Sequence, residues 1–168
     1  MINKIKVPLI LTLVVIVVRI LLEEMGAPGA ISNIFSVAWL AFLIPIYFAV
    51  GMAASDEAHP YKALIKLIVF YGVGVRLMVA VSYSLAYLFQ WSAPRFSGGG
   101  VVGEEVTALQ GFLLMPAFNM VPGLIMAIGS GLLVGPAVLA IRRKMLKPKG
   151  TDENEETAGT SPFRSATF

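Results

Sequence analysis

Four long apolar runs, each bounded by charged or helix-breaking residues, organise the chain. They cover roughly Ile5–Leu22, Ile31–Ala54, Ala63–Phe89 and Leu109–Ile141. A helix advances about 1.5 Å per residue and the hydrocarbon core of a bilayer is about 30 Å thick, so about 20 apolar residues suffice to cross it. In lipid every backbone N–H needs an internal partner, which makes each run a helix. The predicted fold is all-α: an integral membrane four-helix bundle over residues 1–147, followed by a tail. From Pro148 onward the chain is rich in Gly, Thr, Glu and Asn without apolar periodicity, so residues 148–168 read as a disordered cytoplasmic segment.

Three connections separate the runs. Gly26-Ala27-Pro28-Gly29 predicts a tight turn, and Ser55–Pro60 a short polar loop in which Ser55 or Asp56 is placed to cap the following turn. Trp91–Thr107 is longer and carries Ser97-Gly98-Gly99-Gly100, which predicts a mobile segment. The first run is an uncleaved anchor rather than a signal peptide, because Arg19 interrupts it and the residues after it make a poor small-x-small cleavage site.

Charge sets the orientation. Lys4 and Lys6 precede the first run, Lys62 and Lys66 bound the second connection, and Arg142, Arg143, Lys144, Lys147 and Lys149 follow the fourth run. The first connection has no Lys or Arg and the third has only Arg95. Positive loops stay in the cytoplasm, so the expected topology is N-in/C-in, in a cytoplasmic membrane of bacterial type. Composition agrees: 57% of the 168 residues are hydrophobic and 14% charged, against about 25% charged in soluble domains. The net charge of +3 does not signal nucleic acid, because the basic residues lie at the edges of apolar runs rather than in an aromatic-interleaved patch.

Two arginines interrupt the spans, and an intramembrane charge must face the bundle interior or a wet cavity with a partner. Arg19 has Glu23 four residues on, with Thr12 continuing the same face inward, and it can also snorkel to the interface. Arg76 sits near the midplane on a face that reads Gly72, Arg76, Ala80, Tyr83 and Tyr87. No acidic residue lies within the spans at that depth. Three pairings stay open for Arg76: Glu23 or Glu24, carbonyls freed by a proline kink, or an anionic ligand.

The fourth run carries a packing signal. Gly123, Ala127, Gly131 and Gly135 recur every four residues, with Asn119 one step above. Such a small-xxx-small row admits a neighbouring backbone, from within the bundle or from another chain. Pro116, Pro122 and Pro136 each remove an amide donor from this run. A faint duplication is also readable: Val18-Arg19-Ile20 against Val75-Arg76-Leu77, and Pro45 against Pro116, the prolines one residue out of register.

Absences narrow the chemistry. Without Cys there are no disulfides or thiolate sites, and the single histidine, His59, cannot supply paired haem ligands. No P-loop, zinc-protease motif or nucleophile elbow is present, and Ser55, Asp56 and His59 lie too close in one loop for triad geometry. No cofactor or metal is expected, and the chemistry leans away from an enzyme. The first expectation is a non-enzymatic accessory, scaffold or assembly subunit, associating with another membrane subunit or itself through the glycine-striped fourth helix. The alternative is a small carrier or lipid-binding protein, in which Arg76, aided by Arg19, neutralises an anionic ligand such as a lipid in the outer half of the membrane.

Overall fold

The computed structural model describes residues 2–98, 101–103 and 105–146. The tail assigned to residues 148–168, together with Met1, Gly99, Gly100, Glu104 and Lys147, lies outside them. The described residues are helical, without strands: α1 (Ile2–Glu24), α2 (Gly29–Ile34), α3 (Val37–Ala53), α4 (Pro60–Phe89), α5 (Pro94–Ser97), and α6 (Met115–Leu146), which a π-helical turn (Gln110–Leu114) precedes. Four helical stretches are long and apolar enough to cross a membrane: Lys4–Glu24, Gly29–Ala53, Pro60–Phe89 and Gln110–Leu146, with mean hydropathy of 2.1 to 2.6.

The distribution of side chains suits lipid as the surrounding solvent. Large apolar residues such as Val7, Val14, Leu43, Phe70, Leu77, Ile125 and Leu133 face outward, while Thr12, Ser82 and Tyr71 are buried. In the interior the Thr12 hydroxyl donates to the Pro8 carbonyl at 2.8 Å and shares a 2.8 Å hydrogen bond with the Tyr71 hydroxyl. Each polar group is thereby satisfied, and the second bond ties α1 to α4.

The α6 glycine row is filled from within the bundle. A Cβ on Gly131 would lie 2.7 Å from Ile68 Cγ2 and 3.1 Å from Pro45 Cγ, and one on Gly135 2.9 Å from Ile68 Cδ1. A Cβ on Gly123 would meet the Arg76 guanidinium, and one on Gly111 the Tyr87 ring. In exchange, Ile128 of α6 lies against Gly72 of α4. One core cluster is built around Ile44, Phe48, Leu64, Ile68, Tyr71 and Leu139, and a second, towards the other end, gathers Ile16, Ile20, Ala86, Ala93, Phe96 and Val101.

Three details depart from the sequence reading. The second apolar run is broken at Phe35–Ser36, where the Ser36 hydroxyl accepts from Ala38 N–H and caps α3, leaving α2 as a separate short helix. The third connection is packed where it is described: α5 brings Phe96 and Ala93 to full burial, with Val101 beside them. In the Ser55–Pro60 loop, the Ser55 hydroxyl donates back to the Met52 carbonyl instead of capping forward, and His59 precedes α4 without a side-chain cap.

The π-helical turn has a local cause. Pro116 has no N–H to offer, so the ladder widens and Met115 N–H reaches back to the Gln110 carbonyl. The Phe112 carbonyl, which Pro116 leaves without its intrahelical donor, receives the Ser84 hydroxyl of α4 at 3.4 Å.

Candidate functional site

The long helices alternate in direction, which separates two polar ends. Lys4, Lys62 and Arg143 lie at one, the basic end. Arg19, Glu23, Asn33 and Arg95 line a cleft of about 320 Å³ at the other, the capped end.

At the capped end Glu23 is the hub. Its Oε1 accepts from Arg19 Nε at 2.8 Å, and its Oε2 stands 2.9 Å from Arg95 Nε. The first contact is an aligned hydrogen bond. The second is an ion pair whose N–H does not point at the oxygen, so Arg95 Nε and Nη2 are buried without a hydrogen-bond acceptor among the described residues. Arg19 completes its fork on Ser36 Oγ and Asn33 Oδ1, both at 3.2 Å. The Arg95 guanidinium also lies 4.7 Å from the centre of the Phe96 ring. Burial pushes the Arg95 guanidinium below its usual value, and Glu23 draws it back up.

Glu24 does a different job. Its carboxylate accepts from Ser92 N–H, the Ser92 hydroxyl and Ala93 N–H, at 3.2, 3.0 and 2.8 Å. The two neighbouring acids thus fasten the α4–α6 connection onto the end of α1 from two sides. Gly26, at φ +77°, provides the left-handed turn that swings the chain from α1 into α2 and brings Asn33 over Arg19.

Of the expected companions of Arg76, the two acids and Tyr87 are engaged elsewhere, whereas Tyr83 stays within electrostatic reach of it. Glu23 and Glu24 serve the network above, Tyr83 packs edge-on against Phe96 at 5.2 Å, and Tyr87 packs against Phe112 at 5.0 Å. Tyr87 also donates to the Val106 carbonyl at 3.5 Å. Arg76 lies against Gly123, half-buried, and its Nε has no hydrogen-bond partner among the described residues. Arg19 and Arg76, matched in the proposed duplication, therefore occupy unlike surroundings.

Arg95 entered the sequence reading only as a topology marker, and its role in the network was missed. Its contact with Glu23 crosses 72 positions, and no local spacing signals it. Ser36 carried a readable signal, a capping residue before an apolar run. No group of three or more His, Cys, Asp or Glu side chains is arranged to hold a metal ion among the described residues. Comparison with known proteins yields no match to a family model, a curated sequence or a solved structure.

Proposed function

We propose that the chain is a non-enzymatic membrane subunit with its basic end in the cytoplasm, and that α6 joins it to another membrane protein. Asn119 carries this reading. Its side chain is exposed on α6 amid Phe118, Val121, Ile125 and Met126, all at least 60% exposed. Its Nδ2 donates to the Met115 carbonyl at 3.0 Å, which leaves Oδ1 as an acceptor facing outward. One residue before it, Phe118 has a carbonyl that Pro122 cannot serve. Polar groups on a lipid-facing helix gain most from a second helix that hydrogen-bonds to them. The glycine row from Gly123 to Gly135 is filled by the protein's own side chains, so association uses the exposed side of α6 around Phe118, Ile125 and Met126, with Asn119 at its edge.

The test is photo-crosslinking in native membranes. A photoreactive residue in place of Ile125 yields one discrete protein adduct, one in place of Val14 on α1 yields none, and Asn119→Leu weakens the first. Lipid adducts alone at both positions would overturn the reading. An adduct at twice the chain's own mass identifies the partner as a second copy. Reporter fusions at both termini report the cytoplasm.

A second reading rests on Arg76. A guanidinium in an apolar span, half-buried and with an Nε unserved among the described residues, suits a carboxylate or phosphate arriving from outside the chain. Under this reading Arg76→Gln abolishes retention of an anionic ligand and leaves the helical content intact. A variant that unfolds instead assigns Arg76 to architecture.

A further inference from the structure

The basic end holds a cleft with two unlike halves. One half, about 320 Å³, is lined by Lys4 of α1, Lys62 and Lys66 of α4, and by Glu57 and His59 of the intervening loop. The other half, about 290 Å³, is lined by Tyr47, Phe48, Val50 and Gly51 of α3. Lys4, Met52 and Leu67 border both, so the two halves are continuous. Gly51 contributes to the opening, because a Cβ there would touch nothing within 4 Å.

The charges in this cleft are not neutralised from within. Glu57 is the single acid on its wall, and the ion pairs among the described residues are Arg19–Glu23 and Arg95–Glu23, both at the far end. Lys4, Lys62 and Lys66 are exposed. Lys62 and Lys66 stand four residues apart and therefore on one face of α4, and Lys4 reaches the same cleft from α1. Three flexible ammonium groups around one space suit a phosphate, which accepts point charges from several directions. Positive-inside topology needs only that basic residues stay on one side; it does not require them to meet around a cavity that opens onto an apolar groove.

We infer that this cleft holds one anionic phospholipid of the cytoplasmic leaflet, its phosphate among Lys4, Lys62 and Lys66 and an acyl chain along Tyr47, Phe48, Val50 and Gly51. The inference rests on the reading that the chain spans the membrane with its basic end in the cytoplasm. The apolar half is what selects a lipid over a free phosphate, which would leave Tyr47 and Val50 uncovered. Basic pockets between membrane helices on the cytoplasmic side are the setting in which anionic head groups bind.

The experiment uses the full chain in mild detergent and counts retained lipid by native mass spectrometry. The probes are phosphatidylglycerol, phosphatidylcholine with the same acyl chains, and inorganic phosphate. The expected result is retention of one phosphatidylglycerol. Each basic residue near such a head group contributes about a factor of five, so Lys62→Gln with Lys66→Gln weakens retention about thirty-fold. Lys62→Arg with Lys66→Arg restores it. Arg142→Gln with Lys144→Gln, exposed basic residues at the same end that do not line the cleft, leaves it unchanged.

Equal loss in the Arg142/Lys144 variant would mean diffuse attraction and overturn the site. Equal retention of phosphatidylcholine would overturn the role of the lysines, and competition by inorganic phosphate at equal concentration would overturn the role of the groove. A chain that stays soluble without detergent fails the spanning reading instead, and that outcome is visible before any lipid is added.

Discussion

Replacing Glu23 by Gln is the sharpest probe of the capped end, because the amide is nearly the same shape and cannot serve both arginines. Glu23 presents Oε1 to Arg19 and Oε2 to Arg95 at 2.8 and 2.9 Å. In either orientation the Gln amide turns an NH₂ toward one guanidinium nitrogen, setting donor against donor. The Glu23 side chain is 8% exposed and its partners 19% and 23%. Removing one member of a fully buried pair costs about 3–5 kcal/mol; partial solvation of both arginines lowers that here to about 2 kcal/mol. Arg19 keeps Ser36 and Asn33, whereas among the described residues Arg95 keeps the Phe96 ring and the more distant charge of Glu24. The loss therefore falls on the cap. Its local opening equilibrium should rise about thirty-fold.

Hydrogen exchange reads this directly. The Phe96 and Val101 amides, bonded to the Ala93 and Phe96 carbonyls, should exchange about thirty-fold faster, while amides around Tyr71 keep their rates. Trp91, 5.7 Å from Phe96 between ring centres, gives an independent optical signal in a Trp39→Phe background. Exchange within three-fold of the parent at Phe96 would refute the claim that Glu23 holds the cap.

Four further outcomes follow from the packing and the proposed sites. Gly131→Ala should lower thermal stability in mild detergent by about 1–3 kcal/mol, because its methyl meets the buried Ile68 and Pro45 side chains; Gly129→Ala, with nothing within 4 Å, should be neutral or slightly stabilising. Thr12→Val should cost about 1 kcal/mol by leaving the Tyr71 hydroxyl buried without its partner, and adding Tyr71→Phe should recover part of the loss. Purely additive losses in that double variant would count against the bond. Crosslinking from Ile125 but not Val14 tests the partner face of α6. Lipid retention by the Lys62 and Lys66 variants tests the basic cleft.

The four long apolar helices were legible because a chain suited to lipid meets a simple requirement: enough apolar residues to cross, with every backbone group paired inside the helix. The glycine row was legible for a related reason, since residues four apart lie within about 40° of one another around a helix. What lay beyond reach depended on partners far apart in the chain. Arg76 had Glu23 and Glu24 among its candidate partners, but both are engaged by residues 92–95, and nothing in either segment's local pattern says so. The folded cap was hidden by composition: Ser97 and Gly98 suggest slack chain, yet Phe96 beside them is buried completely.

The widened turn at Gln110–Leu114 has a consequence for how α6 presents itself along its length. In an unbroken α-helix Gly111 and Gly123 would sit about 120° apart around the axis, on different sides. The turn takes up one surplus residue, which brings the two to within about 20°. That phase correction lets one rod offer notches to α4 from Tyr87 down to Leu64. Pro116, which reads as an interruption, instead holds Gly111 on the side of the rod that Gly123 presents to α4.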